Sequence, residues 1–378
     1  VNSTTNSFSS IVIYANDDNY PDIYIANDHD QNNMLLINQQ GEGFVDETQT
    51  YNLLDAYDGM GLATSDYDNN NDFEILVTNI KENSFYVDEF MSNQYVNNSE
   101  NVNIYDTNWA WGANFSDYNH DGFEDLFIAN GFSVDEENEF FINVSSGSQS
   151  IQSRKFSKID PLEDQVELTK SRSLVSFDYD NDGDLDLLIS NFESNLMLYE
   201  NKAVDTYFNT QIQGNWIKIN LKGTVSNMDA LGSIVQIYLD NDTHQSRLYH
   251  GSSYQNQSLQ SVHFGIDNTV SIDSVAVTWP NTGRQVYEGI NINSSINIVE
   301  NDGVVVINNN TSSKIEGCTN INSCNYNPEA TVDDGSCQFL EAGLLEGENN
   351  IQPLLLSLIH ISEPTRPRLI SYAVFCLK

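Results

Sequence analysis

Asp178, Asp180, Asp182 and Asp186 occupy positions 1, 3, 5 and 9 of a short loop, with Gly183 at position 6 and the apolar runs Leu174 to Phe177 and Leu185 to Ile189 on either side. Carboxylates at this spacing converge when the chain turns back on itself. Two like charges about 4 Å apart repel by roughly 1 kcal/mol in water and roughly 4 kcal/mol at an effective dielectric near 20. Four of them together call for a hard cation. Calcium suits such a loop, because it accepts roughly 6–8 oxygen ligands in irregular geometry, whereas magnesium demands a strict octahedron and keeps its waters. An EF-hand is excluded. It needs flanking helices and a Glu at position 12, and position 12 here is Ile189 inside a strand-like run.

The same arrangement recurs three times upstream. One copy supplies Asp66, Asp68, Asn70 and Glu74, with Asn71 at position 6, and another supplies Asp117, Asn119, Asp121 and Asp125, with Gly122 at position 6. The first copy keeps Asn16, Asp18 and Asp22 but has Tyr14 at position 1. Ligand charge and the left-handed freedom of glycine predict an affinity order of fourth, third, second, first. Asp, Asn and Gly also dominate ordinary turns, so each loop has the competing reading of an acidic hairpin with no metal.

The loops need elements to hold them. Each is followed by a strand-like apolar run and then by a second run ending in Asn, as in Asn32 to Asn38, Asn138 to Asn143 and Asn195 to Asn201. Several short strands per repeat without helical periodicity predict one antiparallel sheet per repeat, the form of a propeller blade. On these loops and their flanks, residues 8–202 resemble the FG-GAP or VCBS repeats of integrin-alpha-like β-propellers. That resemblance implies a calcium-binding hairpin in each blade. Four blades fall within the range that closes a ring, but a start at Val1 in mid-pattern leads us to expect further blades upstream.

Past Asn201 the acidic motif stops. Asn215 to Thr224 and Ser233 to Leu239 alternate apolar and polar residues, the period of strands with one buried face. Arg247 to Ser258, Val262 to Ile266, Ile272 to Arg284 and Asn293 to Glu300 follow in the same style. Their order resembles the ASPIC/UnbV domain that follows FG-GAP repeats in the cartilage acidic protein 1 family. The fold class expected is all-β: a partial propeller followed by a small sandwich-like β domain. Predicted boundaries are residues 1–208 for the blades, 209–301 for the β domain, 302–316 for a linker, 317–338 for a small module with Cys318, Cys324 and Cys337, and 339–378 for a non-native or disordered tail. The three clustered cysteines fit a disulfide-stapled unit in an oxidising compartment, with zinc as the alternative. Leu356 to Lys378 abandons the acidic, Asn-rich composition and resembles translated sequencing-adapter read-through.

Composition limits the partners. Lys plus Arg number 15 against 55 Asp plus Glu, a net charge of -40. Such a chain repels nucleic acid, which is bound through clustered basic residues. No apolar stretch is long enough for membrane insertion as a helix. His250, His263, Arg284, Ser252 and Ser253 invite a catalytic reading, but no G-x-S-x-G or comparable arrangement accompanies them. Trp216 and Trp279 read as core residues. The expectation is a secreted or cell-surface, non-enzymatic protein that binds Ca2+ and an extracellular protein or glycan partner. A polysaccharide lyase or hydrolase with its site in missing blades is the alternative, as is a purely structural scaffold.

Overall fold

The computed structural model describes residues 6–307 apart from 17, 30, 55–57, 89–93, 133–135, 145–153, 160–169, 202–213, 240–243, 250–253 and 257–260, and beyond them only 316–317 and 332–333. The chain divides into two compact units, with the blades and the following β domain in the first and residues 308–370 in the second. All the regular elements among the described residues are strands.

Four sheets carry the four loops. The first is β1 (Ser7–Ile13), β2 (Asp22–Asn27), β3 (Met34–Asn38) and β4 (Phe44–Asp46), paired in that order. The second joins β5 (Leu62–Ser65), β6 (Glu74–Val77), β8 (Ser84–Asp88) and β9 (Tyr95–Asn97). The third runs β13 (Lys155–Ile159), β12 (Glu139–Val144), β11 (Asp125–Asn130), β10 (Asp106–Ser116) and, borrowed from the preceding repeat, β7 (Ile80–Glu82). The fourth has three strands, β14 (Ser171–Phe177), β15 (Asp186–Asn191) and β16 (Met197–Tyr199). Antiparallel meanders of this kind are propeller blades. First strands neighbour one another between blades, and among the described residues the sheets do not close into a ring.

Alternation decides what each blade buries. Tyr24, Leu35, Leu62, Ile75 and Val77 fill the space between blades one and two, while Leu76, Phe85, Phe115, Ile128 and Phe156 do so between two and three. Leu174, Leu187 and Ile189 pack against Phe127 and Ala129 to join three and four. Each aliphatic side chain removed from water contributes roughly 1.5–3 kcal/mol, so the inter-blade seams hold the loops at fixed spacing.

The remaining strands make a sandwich. One sheet has the order β20 (Val262–Gly265), β17 (Trp216–Lys222), β23 (Ser294–Val299) and β24 (Gly303–Ile307), with β17 and β23 parallel. The other has the order β19 (His244–Tyr249), β18 (Ser233–Leu239), β21 (Ile272–Trp279) and β22 (Gly283–Tyr287). Ile217, Ile219, Val235, Ile237, Val275, Val277, Ile296 and Ile298 interdigitate between them, and Trp279 is a core residue as expected.

One boundary needs correction. The linker expected from residue 302 begins too early, because Gly303–Ile307 is an edge strand paired to β23 from Ser295↔Ile307 to Val299↔Gly303. The cue was Asn-Asp-Gly before an apolar run, a hairpin turn signal. Asn301 and Gly303 take positive φ of 63° and 111° there. In the second unit, Glu316–Gly317 and Val332–Asp333 pair in parallel. Cys318, Cys324, Cys337 and the tail lie outside the described residues.

Candidate metal centres

Every loop is the connection between the first and second strands of its blade. The register closes Ile13 on Asp22, Ser65 on Glu74, Ser116 on Asp125 and Phe177 on Asp186. Position 1 therefore follows directly on the first strand and position 9 opens the second. This fixes both ends of the loop on rigid elements and curls the ligands inward between them.

The position 9 carboxylates share a hydrogen-bond pattern. Asp22, Glu74, Asp125 and Asp186 accept the amide of position 2, from Ala15, Tyr67, Tyr118 and Tyr179, at 2.9, 3.2, 3.2 and 2.8 Å. In blades one, three and four the second oxygen accepts the amide of an Asn at or near the end of the third strand: Asn38, Asn143 or Asn201, at 2.8, 2.9 and 2.9 Å. The amide groups of Asn143 and Asn201 then donate to Tyr67 and Tyr118 O in the preceding loops, both at 2.8 Å. The recurrent Asn in the sequence is thus a tie between neighbouring loops.

Loops two and four bring carboxylates together most closely. Asp66, Asp68 and Asp72 have ligand oxygens within 4.8 Å of one another, and so do Asp178, Asp180 and Asp186. Asp66 also accepts the amides of Asn70 and Asn71 at 2.8 and 3.1 Å, while Asn70 Oδ1 accepts the Asp72 amide at 2.8 Å. Among the described residues, buried Oδ1 atoms of Asp68 and Asp178 find no hydrogen-bond donor. Asp182, expected as a ligand, instead accepts the Asp184 amide at 3.1 Å and stands outside the trio. Asp72, at position 7, was not expected. Its alternation with Asp68 and Asn70 was visible, but the position 1, 3, 5, 9 template passed over it.

Loop three holds its ligands differently. Asp117 accepts the amides of Asp121 and Gly122 at 3.1 and 2.9 Å, and Asn119 Oδ1 accepts the Asp121 amide at 2.9 Å. Asp117, Asp121 and Asp125 do not form a trio of the same closeness among the described residues. In loop one, Asn16 Oδ1 accepts the Asp18 amide at 3.2 Å and Asp18 Oδ1 that of Tyr20 at 2.9 Å, while Tyr14 OH donates to Gly232 O of the sandwich. A third trio, Asp28, His29 and Asp58, lies away from the loops, with His29 Nε2 3.3 Å from Asp28 Oδ2. Asp58 is too far from Asp28 and His29 in sequence for spacing to reveal it.

Burial sets the electrostatics of the loops. Burial, and secondarily Asp72, raises Asp68 to about 6, and burial with Asp121 raises Asp117 to about 7. Burial raises Asp22 to about 6 and Asp186 to about 7, and burial with Asp182 raises Asp180 to about 6. Asp66, Glu74 and Asp125 are pushed well above the usual range, again chiefly by burial. A buried carboxylate without a counter-charge takes up a proton or acquires a cation. An all-oxygen donor set with orphaned carboxylate atoms suits a hard divalent ion such as calcium.

Residues that invited other chemistry are placed elsewhere. His263 is buried and donates from Nε2 to Gly183 O at 2.9 Å, and burial, with His120 nearby, brings its pKa down to about 3. Trp216 stacks on the same ring at 5.9 Å, so it is a contact between sandwich and loop and not a core residue. Arg284 is exposed against Tyr238 OH at 3.1 Å. His250, Ser252 and Ser253 lie outside the described residues.

Blades whose first hairpin carries an acidic loop, joined to a β sandwich, define the class. Two family models match the chain: an FG-GAP-like repeat over residues 117–189, and ASPIC and UnbV over residues 223–305. The chain carries both domains of the architecture that its loops and strand order resemble. The first match spans loops three and four, and the geometry above extends the same repeat to loops one and two. The second reaches into β24, in keeping with the corrected boundary. No curated protein matches the chain. Both domains are of the repeat and interaction type, and no described helix is long and apolar enough to cross a membrane.

Proposed function

We propose that the protein is a calcium-binding, extracellular or cell-surface interaction module, non-enzymatic, whose propeller is rigidified by cations and presents a surface to a protein or glycan partner. The observation that carries the calcium reading is the pair of converging trios in loops two and four, each containing a buried carboxylate oxygen with no donor. Asn16, Asp18 and Asp22 in loop one and Asp117, Asn119, Asp121 and Asp125 in loop three complete the candidate ligand set. The cation would neutralise charge that the fold buries, and its effect would be to fix hairpins, not to perform a reaction.

Calorimetric titration of the chelator-treated chain with CaCl2 tests the metal. Saturable heat and a higher Tm are expected; no heat and an unchanged Tm with EGTA would overturn it. The interaction reading is tested on arrays of glycans and extracellular matrix proteins, with binding expected in calcium and lost in EGTA.

A further inference from the structure

Position 6 is the point of each loop where a left-handed residue turns the chain. In loops two, three and four it is also where the sandwich touches. Asn71, with φ of 77°, presents Oδ1 to Gln236 Nε2 at 2.8 Å and Ser246 Oγ at 2.7 Å. Gly122, with φ of 91°, faces the Gln245 amide so closely that a Cβ there would stand 2.8 Å from Nε2. Gly183, with φ of 106°, lies flat against the Trp216 indole, where any Cβ would collide with the ring, and its carbonyl accepts from His263. The neighbouring positions add to this. His120 O accepts the Asp267 amide at 2.8 Å, Arg247 Nε pairs with Glu124 at 3.0 Å, and Lys218 Nζ reaches Asp178 Oδ2 at 3.0 Å. On the sandwich side Gly265 must lack a side chain, because a Cβ would strike Asp117 Oδ2 and the His120 backbone.

We propose that the sandwich is docked on the cation loops and reads their occupancy: calcium binding and docking of this chain's own second domain are coupled. The inference rests on the calcium reading above. The loop conformation that gathers carboxylates around an ion is the one that sets position 6 against Gln236, Gln245 and Trp216. Asp178 links the two directly, with Oδ2 on Lys218 and Oδ1 turned free for an ion. When the ion leaves, mutual repulsion opens the loops and the platform is lost. Reciprocity then requires that a weaker dock weakens the ion. The partner that occupies the loop face in the calcium state is the sandwich itself, so that face becomes available to another molecule only when calcium falls.

Hydrogen exchange of the whole chain in calcium and in EGTA tests this, with calorimetry run alongside. The Asp267 amide is expected to exchange at least tenfold faster in EGTA, while amides of the sandwich core strands β18 and β21 stay protected. In reciprocal fashion, Gln236→Ala with Ser246→Ala, which touches no ligand, is expected to weaken calcium binding about fivefold or more. Gly265→Val should release Asp267 even in calcium. If calorimetry shows the ion leaving while Asp267 stays protected, or if the double variant binds calcium like the parent, the coupling is wrong and the calcium reading stands. Absence of any calcium heat overturns both.

Discussion

Glu300 in the sandwich and the aspartates of the propeller loops are the same chemical group under opposite pressure. Burial would raise Glu300, but hydroxyl donation from Thr282 and Ser226 and amides of Thr224, Val225 and Ser226 override it and bring it to about 2. Five donors satisfy one carboxylate, which needs no cation. At Asp68, Asp117 and Asp186 the one or two amides each receives do not offset burial, and neighbouring carboxylates add to it, so they rise to about 6, 7 and 7. Glu124 takes a third course, paired with Arg247 and accepting the Ser65 hydroxyl at 2.6 Å. A buried acid therefore announces a metal when other carboxylates converge on it and an oxygen of the group is left without a donor.

Breaking the third course should cost most. Glu124→Ala strands the Arg247 guanidinium against the blades, and removal of one partner of a buried pair typically costs about 3–5 kcal/mol. Urea unfolding in saturating calcium reads it. The loops come next. Asp180→Ala with Asp182→Ala should abolish the calcium-dependent gain of loop four, about 2.7 kcal/mol at a calcium concentration one hundred times Kd. In EGTA the same variant should be as stable as the parent or more so, since repulsion is relieved; no loss of bound calcium would defeat the ligand assignment.

Glu300→Ala should cost about 2 kcal/mol through its lost charge-assisted bonds, and the loss should be the same in calcium and EGTA. A calcium-dependent loss would erase the distinction between the two regions. The smallest effect is in pH. Loop carboxylates with folded pKa of about 6–7 against a normal 3.8 stabilise the metal-free fold fully only below pH 3.8, and that contribution disappears as pH rises through 6–7. Glu300, lowered to about 2 from 4.5, contributes above pH 4.5 and loses its contribution as pH falls toward 2. In EGTA, Tm should therefore decline between pH 4 and 7, and saturating calcium should remove or invert that slope.

Much of this was legible beforehand. Charge spacing at residues 66–74, 117–125 and 178–186 marked the loops, and period-two alternation marked β17, β18 and β23, because both patterns are local. Asp72 escaped because a template of positions does not say which oxygens converge. The edge strand β24 escaped because its Asn-rich surroundings read as linker, although its partner lies on β23. The expected ranking put loop three above loop two, because loop three keeps Gly122 where loop two has Asn71 and because loop two ends in the longer Glu74. The structure gathers the closer trio in loop two, where Asn71 supplies the positive φ and turns its side chain to the sandwich.

The sequence by itself determined the blade count visible here, the chemistry of each loop and the all-β class, since these follow from the order of residues along a single hairpin. Only the tertiary structure decided which carboxylates are left without donors, and that position 6 of three loops meets the sandwich. Lys218 reaches Asp178 across 40 residues and Arg247 reaches Glu124 from farther still. No local pattern encodes such pairs, because burial and the approach of one domain to another fix them.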